Sequence, residues 1–292
     1  MTLLSRLGFK PQKRENIVAP LKIKSSDISI VIPVKNNQRG VDLFLTELLK
    51  THKSSLYPRE IVIVDNNSSP KITVSPHLYN DKFSVILLIC SRNGPACARN
   101  IGLQSAKGDW ILFADSDCIP SESFIQGYLD AINGSVGYAG YVKSYGNGFL
   151  SRYYDSQEIL IPLKVVEDGE SIRPECLITA NALVWKKALE KVGGFNESIS
   201  IAAGEDIDLS FRLLEIGRLS YALQSVVYHD YNDGLIGFMK RFIRYGQGNK
   251  IINKLYNIDV FPRLFRANQP NFINKVLSKI QYICLLGGYV TK

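Results

Sequence analysis

Asp115-Ser116-Asp117 sets two carboxylates either side of one residue, directly after the apolar run Trp110-Ile-Leu-Phe-Ala114. Such a pair can converge on a hard cation. Mg2+ and Mn2+ prefer oxygen ligands and, in phosphate sites, share them with substrate phosphates. A metal held there would neutralise a departing diphosphate. Asp-Ser-Asp is also ordinary turn chemistry, so the position at the end of a buried strand is what favours the metal reading. A second acidic group, Glu205, Asp206 and Asp208, follows Gly204 where a helical pattern starts. Acids there complement the positive end of a helix, worth about 0.3–1 kcal/mol, and Glu205-Asp206-Ile207-Asp208 holds more acid than capping needs. Arg99 lies among small residues and needs an anion or a carboxylate partner. A bridge to a strand-end aspartate would orient Asp115. His229, in Val227-Tyr-His-Asp230, is either a neutral imidazole ligand for Mn2+ or a satisfied structural histidine.

The elements that must position these groups are short and apolar. Ile28-Ser-Ile-Val-Ile-Pro-Val34, Glu60-Ile-Val-Ile-Val-Asp65 and 110–114 read as buried strands of a parallel sheet, with 83–90 a further strand. Val41, Phe44, Leu45, Leu48 and Leu49 recur at helical spacing, and Pro95 opens a helix to Ala106. A further helix is expected from Pro120-Ser121, burying Phe124, Ile125, Tyr128, Leu129 and Ile132. This alternation predicts a doubly wound sheet, with ligands beyond the carboxyl ends of its strands. The polar groups Lys35-Asn36-Asn37, Asp65-Asn66-Asn67, Ser91-Arg92-Asn93 and Asp115-Ser116-Asp117 stand at those ends. Residues 136–175 read as strands followed by a mobile loop near 163–175. A helix is expected over 205–215 with Gly217 as its C-cap, then a strand over 220–228. After 234 the pattern is basic and mostly helical.

The chain has 292 residues and 46% apolar content, enough for one large α/β domain with an appendage. No run approaches the length of a membrane span, and the N-terminus lacks the apolar centre of a signal peptide. Five cysteines without a CxxC pair read as free thiols in a reducing cytoplasm. The charge of +8 is concentrated at the ends. Residues 1–26 hold six Lys/Arg and one acid, 239–292 hold ten and one, and 27–238 is net acidic. An acidic body with basic ends is not the profile of a nucleic-acid-binding domain. It predicts a basic N-terminal extension (1–26), a catalytic body (27–238) and a basic, mostly helical C-terminal extension (239–292). The last either lies peripherally on an anionic membrane or packs on the body with its bases exposed.

Six segments in order give the chain a family resemblance: Val31-Ile-Pro-Val-Lys-Asn36, Ile63-Val-Asp-Asn-Asn-Ser68, Arg92-Asn-Gly-Pro-Ala-Cys-Ala-Arg-Asn100, Gly108-Asp-Trp-Ile-Leu-Phe-Ala-Asp-Ser-Asp117, Gly193-Gly-Phe-Asn-Glu197 and Gly204-Glu-Asp-Ile-Asp-Leu209. Over residues 28–245 the chain resembles the inverting family-2 glycosyltransferases of GT-A fold. The resemblance implies a doubly wound mixed sheet, with a nucleotide-binding half and an acceptor half. It implies a nucleotide-diphosphate sugar donor, UDP-linked by preference, and Mn2+ or Mg2+ as cofactor. Asp65 would recognise the base, framed by the backbone of Pro33 and Val34. Asn93, Arg99 and Asn100 match the donor-site segment, with Asp115 and Ser116 facing the donor. Asp117 would touch the metal, joined by His229. Asp206 would be the general base, with Glu205 on the acceptor side, in the cap or on a neighbouring Arg. Arg241 and Arg244 match an arginine-aromatic motif over the diphosphate, the alternative being a solvated basic face, more so for Arg241. The chain departs from the family at Lys35-Asn36-Asn37, where an acidic residue often stands.

The acceptor is expected to be a glycan, a lipid-linked saccharide or a cell-surface polysaccharide precursor. Two other classes compete. A sugar-1-phosphate nucleotidyltransferase would need a glycine-rich phosphate loop after the first strand, where Lys35-Asn-Asn-Gln-Arg-Gly40 has one glycine. A non-catalytic glycan- or nucleotide-binding module would not need the aspartate pair and Asp206 together. No G-x-G-x-x-G follows a strand, which disfavours a dinucleotide dehydrogenase.

Overall fold

In the computed structural model, which describes residues 15–75, 83–167, 171–231 and 233–291, the β-branched runs become strands enclosed on both sides. β1 (Ile28–Val34), β2 (Glu60–Asp65) and β4 (Trp110–Ala114) are almost wholly buried. With β3 (Ser84–Ile89) they form a parallel block in the order β3-β2-β1-β4. Helices cover its two faces. Val41, Phe44, Leu45 and Leu48 of α1 (Gln38–Thr51) pack on Ile28, Ile30 and Ile32. Ala96, Cys97 and Leu103 of α2 (Pro95–Ser105) pack on Val31, Val62 and Val64. Burying both faces is why these strands read as unbroken apolar runs.

Beyond β4 the sheet becomes mixed. β9 (Asn181–Trp185) runs antiparallel between β4 and β6 (Gly137–Tyr145), and β10 (Leu219–Asp230) lies parallel to β6. A short edge strand, β5 (Cys118–Pro120), runs antiparallel to β10. The eight strands follow the order β3-β2-β1-β4-β9-β6-β10-β5. The carboxyl ends of β1, β2, β4, β6 and β10 and the amino end of β9 therefore share one rim.

Several local expectations are corrected. Proline 120 closes β5 rather than opening a helix, and 121–132 is a run of turns around α3 (Gln126–Leu129). The apolar spacing there is right, since Phe124, Ile125 and Tyr128 are fully buried. A regular helix is replaced by mixed turn bonds such as Phe124 N to Ser121 O at 3.1 Å and Gly127 N to Ser123 O at 2.8 Å. The middle segment contains a helix, α4 (Phe149–Gln157), that its weak periodicity did not show. The loop expected near 163–175 is a hairpin of β7 (Lys164–Glu167) and β8 (Ser171–Pro174), with residues 168–170 outside the described residues. Gly217 ends the helix as expected, but in extended backbone with φ −168°. Space explains the glycine, because a Cβ there would come within 2.5 Å of Val136 Cγ1.

Three helices complete the rim after α5 (Lys186–Lys191): α6 (Glu205–Ile216), α7 (Gly234–Tyr256) and α8 (Phe272–Val290). Helix α7 runs through the boundary expected at residue 239. Of the expected N-terminal extension, residues 1–14 lie outside the described residues. The rest is tied to the body, with Ile17 N donating to Ile216 O at 2.7 Å and Ala19 N to Gly134 O at 2.9 Å. All five cysteines are free thiols. Among the described residues no helix is long and apolar enough to cross a membrane.

Candidate active site

The rim opens into a cleft of about 950 Å³. Pro33, Val34, Asn93, Arg99, Asp115, Ser116, Asp117, Glu205, Asp206, His229 and Arg244 all line it. They arrive on several strand ends, on the start of α6 and from within α2 and α7, which is why residues far apart in sequence meet.

The Asp115-Ser-Asp loop is pinned from the first strand. Asn37 caps α1 by accepting from Gly40 N at 3.0 Å, and its amide donates to Ser116 O at 3.0 Å. Gly40 lies so close beneath that a Cβ there would meet Ser116 O at 1.9 Å. At the other side of the loop, Arg99 is 3% exposed. Its two terminal nitrogens donate to Asp115 Oδ1 and Glu205 Oε1, each at 2.8 Å. The two expectations for Arg99 thus resolve to a double carboxylate bridge. Glu205, expected on the acceptor side, is 4% exposed and held by Arg99.

One guanidinium cannot neutralise three carboxylates. Burial, and then the charge of Glu205, push the Asp206 carboxyl up to about 7, with Arg99 opposing. Burial likewise raises Glu205 against the pull of Arg99. Among the described residues Asp206 has no side-chain hydrogen-bond partner, and its Oδ1 accepts from Ile207 N at 2.9 Å. Gly204, at φ 92°, makes the left-handed turn that starts α6 at this point. The third acid is structural: Asp208 accepts from Arg212 Nε at 3.1 Å and from the Tyr256 hydroxyl at 2.7 Å.

Pairing of β5 with β10 sets His229 opposite Cys118. This brings His229 Nε2 to 3.3 Å from Asp117 Oδ2. Two adjacent ligands on an octahedral ion with bonds of about 2.1 Å stand about 3 Å apart, so the pair fits Mg2+ or Mn2+. Among the described residues no group of three or more His, Cys, Asp or Glu forms a closed cage. That suits a metal whose other positions go to water and substrate phosphate. His229 is 5% exposed and its Nδ1 has no partner among the described residues. Ring packing holds it instead. Tyr231 stacks on it at 4.2 Å, Tyr154 stacks on Tyr231 at 3.8 Å, and Arg241 lies over both tyrosines.

That role corrects the reading of Arg241 as a solvated face. It is 8% exposed and donates to Tyr154 and Asp233 at 2.6 and 2.8 Å. Arg241 and Arg244 both border the cleft, and Arg244 Nε donates to Ala202 O at 3.0 Å. Asn100 also departs from its expected place on the donor. It ties down the Gly193-Gly-Phe-Asn-Glu197 turn through Phe195 N, Phe195 O and Glu197.

Asp65 is the site residue that the structure removes from the cleft. It is 1% exposed and accepts from Ser68 N at 2.8 Å and Ile72 N at 3.3 Å. These bonds, with Lys71 nearby, hold its carboxyl below the usual range although burial alone would raise it. Its neighbour Asn66 lines the cleft and anchors the loop after β3, donating to Arg92 O and accepting from Gly94 N. Lys35 donates to Asn93 at 2.9 Å beside it. Asp65→Ala should therefore cost about 1–3 kcal/mol of stability by orphaning buried N–H groups. It should leave the donor KM near its wild-type value, and a large KM rise with an unchanged melting curve would restore the base-contact role. Sequence reasoning placed Asn37 at the rim without a role and missed Tyr154 and Tyr231. The first carried a readable cap signal, Asn before a helix; the tyrosines carried none.

Residues 29–193 match the family described as glycosyl transferase family 2. The chain is 28% identical over 229 residues to the pre-mycofactocin glycosyltransferase of Mycobacterium tuberculosis, covering 75% of this chain and 46% of that one. It is 24% identical over 245 residues to the chondroitin synthase of Pasteurella multocida, covering 72% and 25%. The chain thus spans about half or less of these curated relatives. In three dimensions it is similar to the mannosyltransferase PcManGT of Pyrobaculum calidifontis, solved with GDP-Man and Mn2+ (TM-score 0.52, 14% identity, 97% of this chain and 76% of that one). It is also similar to residues 1–349 of S. aureus TarS, solved with UDP-GlcNAc (TM-score 0.52, 18% identity, 80% and 67%). At these identities the likeness speaks for the α/β GT-A fold. The family match covers more than half of the sequence and runs through the strand ends that build the cleft; on that ground the chain belongs to glycosyl transferase family 2.

Proposed function

We propose that the chain moves a sugar from a nucleotide-diphosphate sugar, UDP-linked by preference, onto an acceptor hydroxyl with inversion. The observation that carries this reading is the Arg99 bridge, which joins Asp115 beside Asp117 to Glu205 beside Asp206. It brings the metal-side and helix-side carboxylates into one cleft. The base sits against Pro33, Val34, Lys35 and Asn93, and Arg244 faces the diphosphate. Asp117 and His229 hold Mg2+ or Mn2+, which when bound neutralises charge on the diphosphate. Asp206 takes the acceptor's proton as its oxygen bonds to the anomeric carbon. The bond from that carbon to the diphosphate breaks with its electron pair, releasing the nucleoside diphosphate. The catalytic body, expected over 27–238, takes in α7, which crosses that boundary and supplies Arg244, and α8 forms a helical cover. The acceptor is a glycan, a lipid-linked saccharide or a polysaccharide precursor.

The nucleotidyltransferase alternative is weakened further by the first loop. Asn37 and Gly40, which a phosphate cradle would use, are spent on holding Ser116.

A panel of sugar nucleotides with Mn2+ or Mg2+, scored by nucleotide release, tests the reading. Release should stop with EDTA, and Asp117→Asn should raise the half-saturating metal concentration by at least about tenfold. Full activity in EDTA would overturn the metal assignment, and pyrophosphate release from a nucleoside triphosphate would replace transfer with nucleotidyl chemistry.

A further inference from the structure

Helix α8 is built inside out. Its buried positions are Asn274, Leu277, Ser278, Gln281, Cys284 and Gly288, half of them polar side chains. These polar groups are satisfied within the protein. Gln281 accepts from the Tyr153 hydroxyl at 2.7 Å, Asn274 donates to Gln269 O at 2.9 Å, and Ser278 donates to Lys275 O at 3.0 Å. The helix also sits tightly on α7, since a Cβ at Gly288 would come within 1.8 Å of Ile243 O. Its outward side is the apolar one. Phe272 is 81% exposed, Ile283 64% and Val290 61%, with Val276 at 41%. At spacings of four and seven residues these positions form one stripe along the helix. A helix covering a soluble domain normally shows the reverse pattern.

Charge says what covers this face. Lys275 and Lys279 lie on the exposed side of the same helix. Residues 260–292 contain five Lys/Arg and no Asp or Glu. The acid closest to this segment in sequence, Asp259, is paired with Arg263 at 2.6 Å. Exposed aromatic and aliphatic side chains together with lysines, on a helix free of acids, are the composition of a helix lying in a bilayer interface. We propose that the outward face of α8 docks on an anionic membrane surface, its apolar stripe at the acyl boundary and its lysines on the headgroups. Gln281 and Leu285 of this helix line the cleft from the inner side. Docking therefore places the cleft beside the bilayer, and under the transferase reading directs it to acceptors carried there. The docking itself does not depend on that reading.

The test is co-sedimentation of the full chain with vesicles of phosphatidylcholine alone or with about one third phosphatidylglycerol. The chain should bind the anionic vesicles, with binding weakened by salt. Lys275→Gln with Lys279→Gln should lower the partition coefficient roughly thirtyfold. Ile283→Ser with Phe272→Ser should also release it, and because all four side chains are exposed the melting temperature and cleft-dependent nucleotide release should stay unchanged. Equal binding to neutral vesicles, no binding to either, or a concentration-dependent dimer dissolved by the Phe272/Ile283 pair would each overturn the proposal. The last outcome would assign the face to a second copy of the chain.

Discussion

Asp206→Asn is expected to lower kcat by about a hundredfold or more, the scale of a positioned general base, with donor binding retained. The carboxyl sits at the helix start with no side-chain hydrogen-bond partner among the described residues, poised for an incoming proton. Burial and Glu205 hold it up to about 7, so wild-type kcat should rise with pH through a midpoint near 7 as Asp206 becomes able to accept. The same shift has a stability consequence of definite sign. An aspartate in the unfolded chain loses its proton near pH 3.9. Between that value and about 7 the folded protein holds a proton that the unfolded chain has lost, so stability falls as pH rises through this window. The asparagine variant lacks this term. Its melting temperature should gain on the wild type between pH 5 and pH 8, by a few degrees at this chain length. Initial rates with the preferred donor and melting curves at several pH values check both. Transfer at the wild-type rate in Asp206→Asn would end the base assignment.

Arg99→Met is expected to produce the largest loss of stability, about 3–5 kcal/mol, because it leaves Glu205 as an uncompensated buried charge and the part-exposed Asp115 without its partner. At this size that is a fall of about 5–8 °C in Tm. Adding Glu205→Gln to Arg99→Met should recover part of it, since the two sites share one network. Arg99→Lys should fall between wild type and Met, keeping the charge but losing the fork that reaches both carboxylates. Denaturant unfolding of the four proteins measures the coupling. A Met variant within about 1 kcal/mol of wild type would show that the bridge is not holding the cleft together.

Much of the parallel half was legible in the sequence because its signals are local. β-branched runs of the right length, helical spacing in 41–49 and Pro95 at a helix start each depend on neighbours in the chain. The acidic pair was legible for the same reason, as a polar stop after a buried strand. Asp65 was misplaced because sequence cannot distinguish a carboxylate aimed at a ligand from one that caps its own turn through Ser68 and Ile72. Arg241 was misjudged because burial of a helical arginine depends on what packs over it, here Tyr154 and Tyr231.

The sequence by itself determined the succession of strands and helices in the first half, the family and the groups able to do chemistry, since residue type and short-range periodicity carry that information. Only the tertiary structure decided which of those groups meet. Asp117 reaches His229 because a three-residue edge strand pairs with β10, and Arg99 holds both Asp115 and Glu205, the latter 106 residues along the chain from it. Such contacts follow from the sheet's mixed topology, in which pairings between distant strands leave no periodic trace in the sequence.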